Sequence, residues 1–169
     1  MHPGERLRQP HPIPAWQRLL LAVLPVVAAG ALGSIATTPQ IPTWYAGLTK
    51  PGFTPPNWLF GPVWTALYAM MAYAAWRILS LPPGTPGRRG ALAAFFAQLA
   101  LNAAWSWAFF GAQSPAAGLV VIVALVAAIG LTIRLFWPLD RTAAWLLVPY
   151  AAWVAYATAL NAEILRLNG

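Results

Sequence analysis

Aromatic side chains recur at helical spacing in one apolar run of this chain. Phe60, Trp64 and Tyr68 stand at positions i, i+4 and i+8, which keeps them on one face of a helix. Ring faces of this kind can stack on flat hydrophobic molecules. We therefore expect this face to form one wall of a binding site.

Two further runs combine rings with side-chain amides on a single face. The first face carries Gln98, Asn102, Trp105 and Phe109. The second face carries Tyr150, Trp153, Ala157 and Asn161. Because an unbonded amide is costly in lipid, Asn102 and Asn161 should point inward and be hydrogen-bonded. Apolar walls with a few polar groups are typical of small-molecule sites, so the pattern predicts a cavity between these faces.

The same pattern is also typical of helices that merely pack together. Aromatic and amide side chains on inward faces stabilise bundles, with interhelical amide bonds contributing about 1 kcal/mol each. The spacing alone leaves both interpretations open. The tryptophans near the ends of the runs indicate a belt at the membrane interface: Trp16, Trp58, Trp76, Trp137 and Trp145.

Groups for acid–base, nucleophilic or metal chemistry are scarce. The chain has no cysteine, and its two histidines, His2 and His11, precede the apolar runs. Glu163 is the only carboxylate within a run, near its end. No nucleophile–base pair or metal cluster emerges, so we predict no catalytic and no metal-ligating residues. Histidine ligation of haem iron is not expected within the apolar runs.

Composition places the chain in a bilayer. Hydrophobic residues make up 60% and charged residues 8% of the 169 residues, whereas soluble domains carry about 25% charge. The net charge of +7 is scattered at the ends of the apolar runs rather than clustered on one face. This distribution argues against a nucleic-acid partner and is typical of loops on the inner side of a membrane.

Runs of about 20 apolar residues are long enough to span the hydrocarbon core as helices. We expect an all-α membrane protein, a five-transmembrane-helix bundle within residues 16–169 preceded by a basic flexible tail, residues 1–15. The predicted spans are 16–38, 57–80, 89–111, 115–137 and 142–166. The long connection 39–56 is rich in proline and aromatic residues and is predicted to be a lid over the bundle.

Counting basic residues predicts the orientation. Eight fall on the side of the N-terminus: Arg6, Arg8, Arg18, Arg77, Arg88, Arg89, Arg134 and Arg141. Lys50 and Arg166 fall on the other side, so the N-terminus is expected inside. A cleavable signal peptide over residues 1–31 is disfavoured because its apolar run is too long.

Small residues on two helices could let backbones approach closely, within the bundle or between two protomers. One row is Ala29 and Gly33 on the first predicted helix, and the other is Ala100, Ala104 and Ala108 on the third. We expect a homodimer formed through such faces.

An ordered set of short motifs resembles the translocator protein family, also called tryptophan-rich sensory proteins or peripheral-type benzodiazepine receptors. The set comprises Trp44-Tyr45 with Leu48, Lys50-Pro51, Pro55-Pro56 with Trp58, Pro62-Val63-Trp64-Thr65 with Tyr68, QLALNAAW at 98–105, FFG at 109–111, PYAAW at 149–153 and Leu160-Asn161. The motifs occur in order and cover residues 30–168.

The resemblance implies a five-helix bundle, often dimeric, with a ligand pocket beneath the first loop. Ligands of the family include porphyrins, sterols and isoquinoline or benzodiazepine drugs. By motif position the pocket residues would be Tyr45, Trp64, Tyr68, Asn102, Trp105, Trp153 and Ala157; helical spacing adds Phe60 and Asn161. The stretch from Leu160 to Arg166 lacks the tyrosine of the family's sterol-recognition pattern, which argues against sterol binding.

The function expected first is that of a receptor or sensor in the membrane for a planar hydrophobic ligand, most of all a porphyrin or haem, with no obligatory cofactor. An enzyme that degrades porphyrin with light or oxygen is the alternative, with Trp64 and Trp153 as oxidisable residues. A porphyrin or sterol transporter is a third hypothesis, although no charge stands at mid-membrane. A helical bundle favours a bacterial inner membrane over an outer one.

Overall fold

The computed structural model describes residues 13–169, and every regular element within them is helical. The predicted tail therefore lies outside the described residues, apart from residues 13–15. The helices are α1 (Ala15–Thr37), α2 (Asn57–Leu79), α3 (Arg88–Ser106), α4 (Pro115–Phe136), α5 (Arg141–Leu146) and α6 (Val148–Asn168). A π-helical turn, Trp107–Gly111, prolongs α3, and a single residue, Leu147, separates α5 from α6.

Four helical segments of the described part are long and apolar enough to cross a membrane, so the protein is a multi-pass membrane protein. They are Ala15–Tyr45, Arg88–Gly111, Pro115–Phe136 and Arg141–Asn168. Helix α2 is also 23 residues long but is less apolar. Its tryptophan and tyrosine side chains carry polar N–H and O–H groups, which lower its hydropathy.

The first connection begins later than the sequence predicts. Helix α1 continues through a 3-10 turn, Thr38–Gln40, and a π-helical turn, Ile41–Tyr45. The irregular stretch covers only residues 48–56, so the predicted start of the loop at residue 39 is wrong. Pro39 and Pro42 each stand in the opening positions of a new turn, where a missing N–H is tolerated and the change of helix type absorbs the ring.

The C-terminal part of α6 holds the irregular stretch 48–56 (hereafter the loop). The side-chain amide of Asn168 accepts from the Thr49 N–H and donates to the Thr49 carbonyl, both at 2.9 Å. Nearer to the N-terminus of the same helix, the Tyr156 hydroxyl donates to the carbonyl of Phe53. These bonds join the start and the middle of the loop to one helix and fix its position.

Arginines tie the helix ends together at the opposite end of the bundle. Arg88 is buried and donates to the carbonyls of Ile78 and Leu79 at 3.1 Å, which caps the C-terminus of α2. Arg77 forms an ion pair with Asp140 at 2.8 Å. The Asp140 carboxylate also accepts from the Ala143 N–H at 2.9 Å and so caps α5.

Asp140 lies in the connection between α4 and α5, outside the spans. Burial works to raise the pKa of its carboxyl group, but the hydrogen bonds from Arg77 and from the α5 amides outweigh it. The pKa is therefore held below its ordinary value.

The two rows of small residues have different surroundings. Ala29 and Gly33 are buried inside the bundle, and a Cβ on Gly33 would lie 3.1 Å from the Ser106 hydroxyl of α3. Ala100 and Ala104 are exposed on the outer face of α3. The first row therefore serves the approach of α1 to α3, while the second faces the surroundings of the bundle.

Candidate ligand-binding site

A cavity of about 1090 Å³ lies between α1 and α2. Side chains of α3, its π-helical turn and α6 also line it. Several lining residues are exposed, among them Val27 at 59% and Tyr73 at 46%. Since α1 and α2 lie on the outside of the bundle there, the cavity opens sideways toward the bilayer.

Most of the residues that the sequence singled out lie on the wall of this cavity. Those on the wall are Tyr45, Phe60, Trp64, Tyr68, Asn102, Trp105, Ala157 and Asn161. Trp153 is the exception. Its ring packs edge-on against Phe60, with centroids 5.9 Å apart, and lies tilted against Tyr156 at 5.8 Å, so it supports the wall instead of forming it.

A chain of hydrogen bonds fixes the first amide. The Tyr68 hydroxyl donates to Asn102 Oδ1 at 2.9 Å, and Asn102 Nδ2 donates to the Tyr150 hydroxyl at 3.1 Å. Tyr150 in turn donates to Gln98 Oε1 at 2.9 Å. Tyr150 and Gln98 are buried behind the wall, and Gln98 Nε2 has no partner among the described residues. The chain orients Asn102 and the Tyr68 ring from outside the cavity.

The second amide is fixed in a separate arrangement. The Trp105 indole N–H donates to Asn161 Oδ1 at 3.2 Å, and Asn161 Nδ2 donates to the Pro115 carbonyl at 2.7 Å. A Cβ on Gly118 of α4 would lie only 2.8 Å from Asn161 Oδ1. Glycine at this position lets α4 approach α6 closely enough for the amide to reach Pro115.

An aromatic cluster closes the end of the cavity nearest to the loop. The rings of Trp105 and Phe109 stack with centroids 5.7 Å apart, and Tyr45 meets Phe110 at 5.6 Å. Phe109 and Phe110 lie on the π-helical turn after α3 and line the cavity. Phe109 lies on a face that the spacing predicts to border the cavity, but it was not among the predicted pocket residues, and Phe110 was not predicted although the FFG motif contains it.

The wall contributed by α1 was also missed. Gly30, Ala31 and Ser34 line the cavity, and a Cβ on Gly30 would lie 3.0 Å from the Tyr68 ring. The glycine therefore leaves room for the ring that faces it. The small residues of α1 were visible in the sequence, but only as a signal for helix packing.

The cavity offers rings and neutral polar groups. Among the described residues that line it there is no carboxylate, histidine or lysine, and residues 13–169 contain no group of His, Asp and Glu that could hold a metal ion. Trp64 and Tyr68 lie with ring centroids 5.4 Å apart and planes 31° apart. Such a wall can bind a flat apolar molecule by stacking and orient it through amides.

Comparison with known proteins agrees with the motifs. The model of the TspO/MBR family matches residues 21–167. The chain belongs to the TspO/MBR family.

Relatives of this TspO/MBR chain occur in archaea, bacteria and animals. It is 46% identical over 154 residues to the tryptophan-rich protein TspO of Archaeoglobus fulgidus, covering 89% of this chain and 97% of the relative. It is 40% identical to the tryptophan-rich sensory protein of Cereibacter sphaeroides, over 82% of this chain and 87% of the relative. It is also 40% identical to the human translocator protein, over 74% and 75% respectively.

Proposed function

We propose that this protein is a membrane receptor or sensor that binds a planar hydrophobic ligand, a tetrapyrrole most of all, in the cavity between α1 and α2. The observation that carries the proposal is the wall itself, where Trp64, Tyr68 and Trp105 stand beside two hydrogen-bonded amides. The volume of about 1090 Å³ is slightly above the range of about 300–1,000 Å³ typical of ligand sites.

The ring of the tetrapyrrole, and not a bound metal, should supply the affinity. The wall has no imidazole for an axial bond among the described residues, whereas its rings and amides contact any flat macrocycle. Metal-free porphyrin and haem are therefore expected to bind with similar affinity.

Tryptophan fluorescence tests the proposal directly. We expect protoporphyrin to quench the wild-type protein, and Trp64→Ala to weaken its affinity about tenfold, since a lost aromatic contact costs about 0.5–1.5 kcal/mol beyond area burial. Trp58→Ala is the matched control, because Trp58 is on the same helix, 72% exposed and away from the cavity. Equal affinities in both variants and the wild type would refute the site.

The same wall favours one enzymatic alternative, the light-dependent degradation of the bound porphyrin. Two oxidisable indoles, Trp64 and Trp105, lie on the cavity wall, where a bound macrocycle would contact them. Illumination of the complex distinguishes the two functions. Porphyrin absorbance that decays no faster than that of free porphyrin in the same detergent supports a receptor, and a faster decay that Trp64→Phe slows supports the enzyme.

We further propose that α2 crosses the membrane together with the four segments named above, which gives five spans. The N-terminus lies inside, and the membrane is a bacterial inner membrane. Arg18 lies near Ser80 and Arg88 near Ile78, which groups basic residues at the end of the bundle opposite to Lys50. This grouping supports the orientation. Labelling of single cysteines with a membrane-impermeant reagent in intact cells tests it, because the chain has no cysteine of its own.

A homodimer through the outer face of α3 is proposed on the exposure of Ala100 and Ala104, which lets a second backbone approach. Ala104→Cys should cross-link in native membranes. Val123→Cys, on the exposed face of α4, is the control and should stay monomeric. Equal cross-linking at both positions would indicate random collision.

A further inference from the structure

The cavity is much longer than its ring-lined part. Its wall on α1 extends from Leu19 to Thr37, which at 1.5 Å per residue is about 27 Å. On α2 it extends from Asn57 to Trp76, about 29 Å by the same rise. This length approaches the hydrocarbon thickness of about 30 Å, so a macrocycle alone would occupy only the part near the loop.

The chemistry of the wall changes along this length. Near the loop the wall carries rings and amides. Farther from the loop, the facing sides of α1 and α2 carry small and aliphatic side chains, Leu19, Val23, Val27, Ala69 and Ala72. This part (hereafter the aliphatic groove) offers no amide and no ring face until Tyr73 and Trp76, whose stacked rings lie at its far end with centroids 5.9 Å apart.

The aliphatic groove is also the part that is open to lipid. Leu19 and Val27 are 52% and 59% exposed although they line the cavity. A flexible apolar chain can therefore lie in the groove without passing through a closed channel. The groove is continuous with the ring-lined part, so one molecule can occupy both.

We propose that the ligand of this site carries a long apolar tail, such as an isoprenoid ester on the macrocycle, and that the tail lies in the aliphatic groove. The proposal rests on the function proposed above. The macrocycle lies against Trp64 and Trp105, and the tail contacts Val23, Val27 and Ala69 along α1 and α2. The aliphatic groove thus selects tailed pigments over their tail-free acids.

Two pigments with one macrocycle test the proposal: pheophytin a, which carries a phytyl ester, and pheophorbide a, which carries the free acid. Both are titrated into nanodiscs that contain the wild-type protein, with concentrations expressed as mole fractions in the lipid and binding read by tryptophan quenching. The tail is in apolar surroundings both in the lipid and in the aliphatic groove, so any gain in binding free energy comes from packing contacts with the groove. We expect pheophytin to bind about tenfold more tightly, which corresponds to 1.4 kcal/mol.

A pair of variants on α2 distinguishes binding of the tail in the aliphatic groove from partitioning of the tail into the bilayer. Ala69→Phe places a ring in the aliphatic groove, whereas Ala66→Phe places the same ring on an exposed position that does not line the cavity. We expect Ala69→Phe to abolish the preference for pheophytin over pheophorbide, and a thermal unfolding midpoint equal to that of Ala66→Phe shows that the variant is folded. Ala66→Phe should keep the full preference.

The outcomes distinguish the two proposals. Absence of pheophorbide binding to the wild type would refute the proposed ligand site itself. Equal binding of both pigments, as expected if a bilayer acyl chain occupies the groove, would refute the tail proposal alone. A preference of equal size in both variants would also refute it, since the tail would then act only by partitioning into lipid.

Discussion

Gly118 offers a sharp test of how the wall of the cavity is held. A methyl group at this position of α4 would lie 2.8 Å from Asn161 Oδ1 and 2.9 Å from Phe109 Cβ. Real Cβ atoms do not approach so closely, and Phe109 Cβ is tied to its own backbone. Gly118→Ala should therefore push α4 away from α6 and disturb the bond from Trp105 to Asn161.

A second glycine of the same helix isolates the steric cost. Gly130 has open space around its missing Cβ, so Gly130→Ala should stabilise the protein by about 1 kcal/mol through helix propensity. Gly118→Ala shares that gain but adds overpacking, which costs about 1–3 kcal/mol. The difference between the two variants is thus about 1–3 kcal/mol, or about 2–12 °C at 2–4 °C per kcal/mol for a chain of this size.

Thermal unfolding in detergent, followed by tryptophan emission, measures this difference, and protoporphyrin quenching reports the wall. We expect Gly118→Ala to melt below Gly130→Ala and to bind porphyrin more weakly. Equal melting temperatures would refute the argument that close approach at Gly118 positions Asn161. Lower stability with unchanged porphyrin affinity would separate the helix contact from the site.

Three further predictions follow from polar contacts. Asn102→Leu leaves the half-buried Tyr68 hydroxyl without its acceptor and the buried Tyr150 hydroxyl without its donor. It should therefore lower stability by about 1–3 kcal/mol, measured by thermal unfolding; an unchanged melting temperature would contradict the role of these hydrogen bonds. The pKa of Asp140 is lowered from 3.8, so its carboxylate stabilises the fold above that pH, and this contribution disappears as the pH falls through its folded-state pKa. The melting temperature of Asp140→Asn should lie below that of the wild type at pH 7, and the gap should narrow below about pH 4; a constant gap would show that the ion pair with Arg77 contributes nothing. Asn168→Ala removes both hydrogen bonds to Thr49. The backbone N–H of Thr49 should therefore exchange hydrogen faster, while the exchange of helix amides stays the same. Unchanged exchange at Thr49 would mean that other contacts hold the loop.

The helices were predictable because each apolar run is long enough to cross a membrane as a helix and longer than a membrane-spanning strand. Pro115 and Arg141 begin helices within one residue of the predicted starts. The extension of α1 was not predictable from propensity, since Pro39 and Pro42 normally end a helix. Here they are accommodated by a change in helix type, which depends on packing that a local pattern does not contain.

Helical spacing identified residues that line the cavity, but not the hydrogen bonds that hold them in place. Tyr68 and Asn102 were identified because aromatic and amide side chains on one face are rare signals in an apolar run. Tyr150 was on a predicted face, yet its role as the bridge between Asn102 and Gln98 needs the relative rotation of two helices. Trp153 was predicted to line the cavity but does not, because a small rotation of α6 decides whether its ring faces the cavity or packs against Phe60 and Tyr156.

The two hydrogen bonds between Asn168 and Thr49 have a practical consequence for handling the protein. Asn168 is the last residue of α6, so a purification tag or fluorescent protein joined directly after this helix would crowd the loop and strain the two hydrogen bonds to Thr49. Such a fusion would displace the loop, although no residue of the loop lines the cavity. Reporters for binding studies that follow α6 therefore need a long flexible spacer.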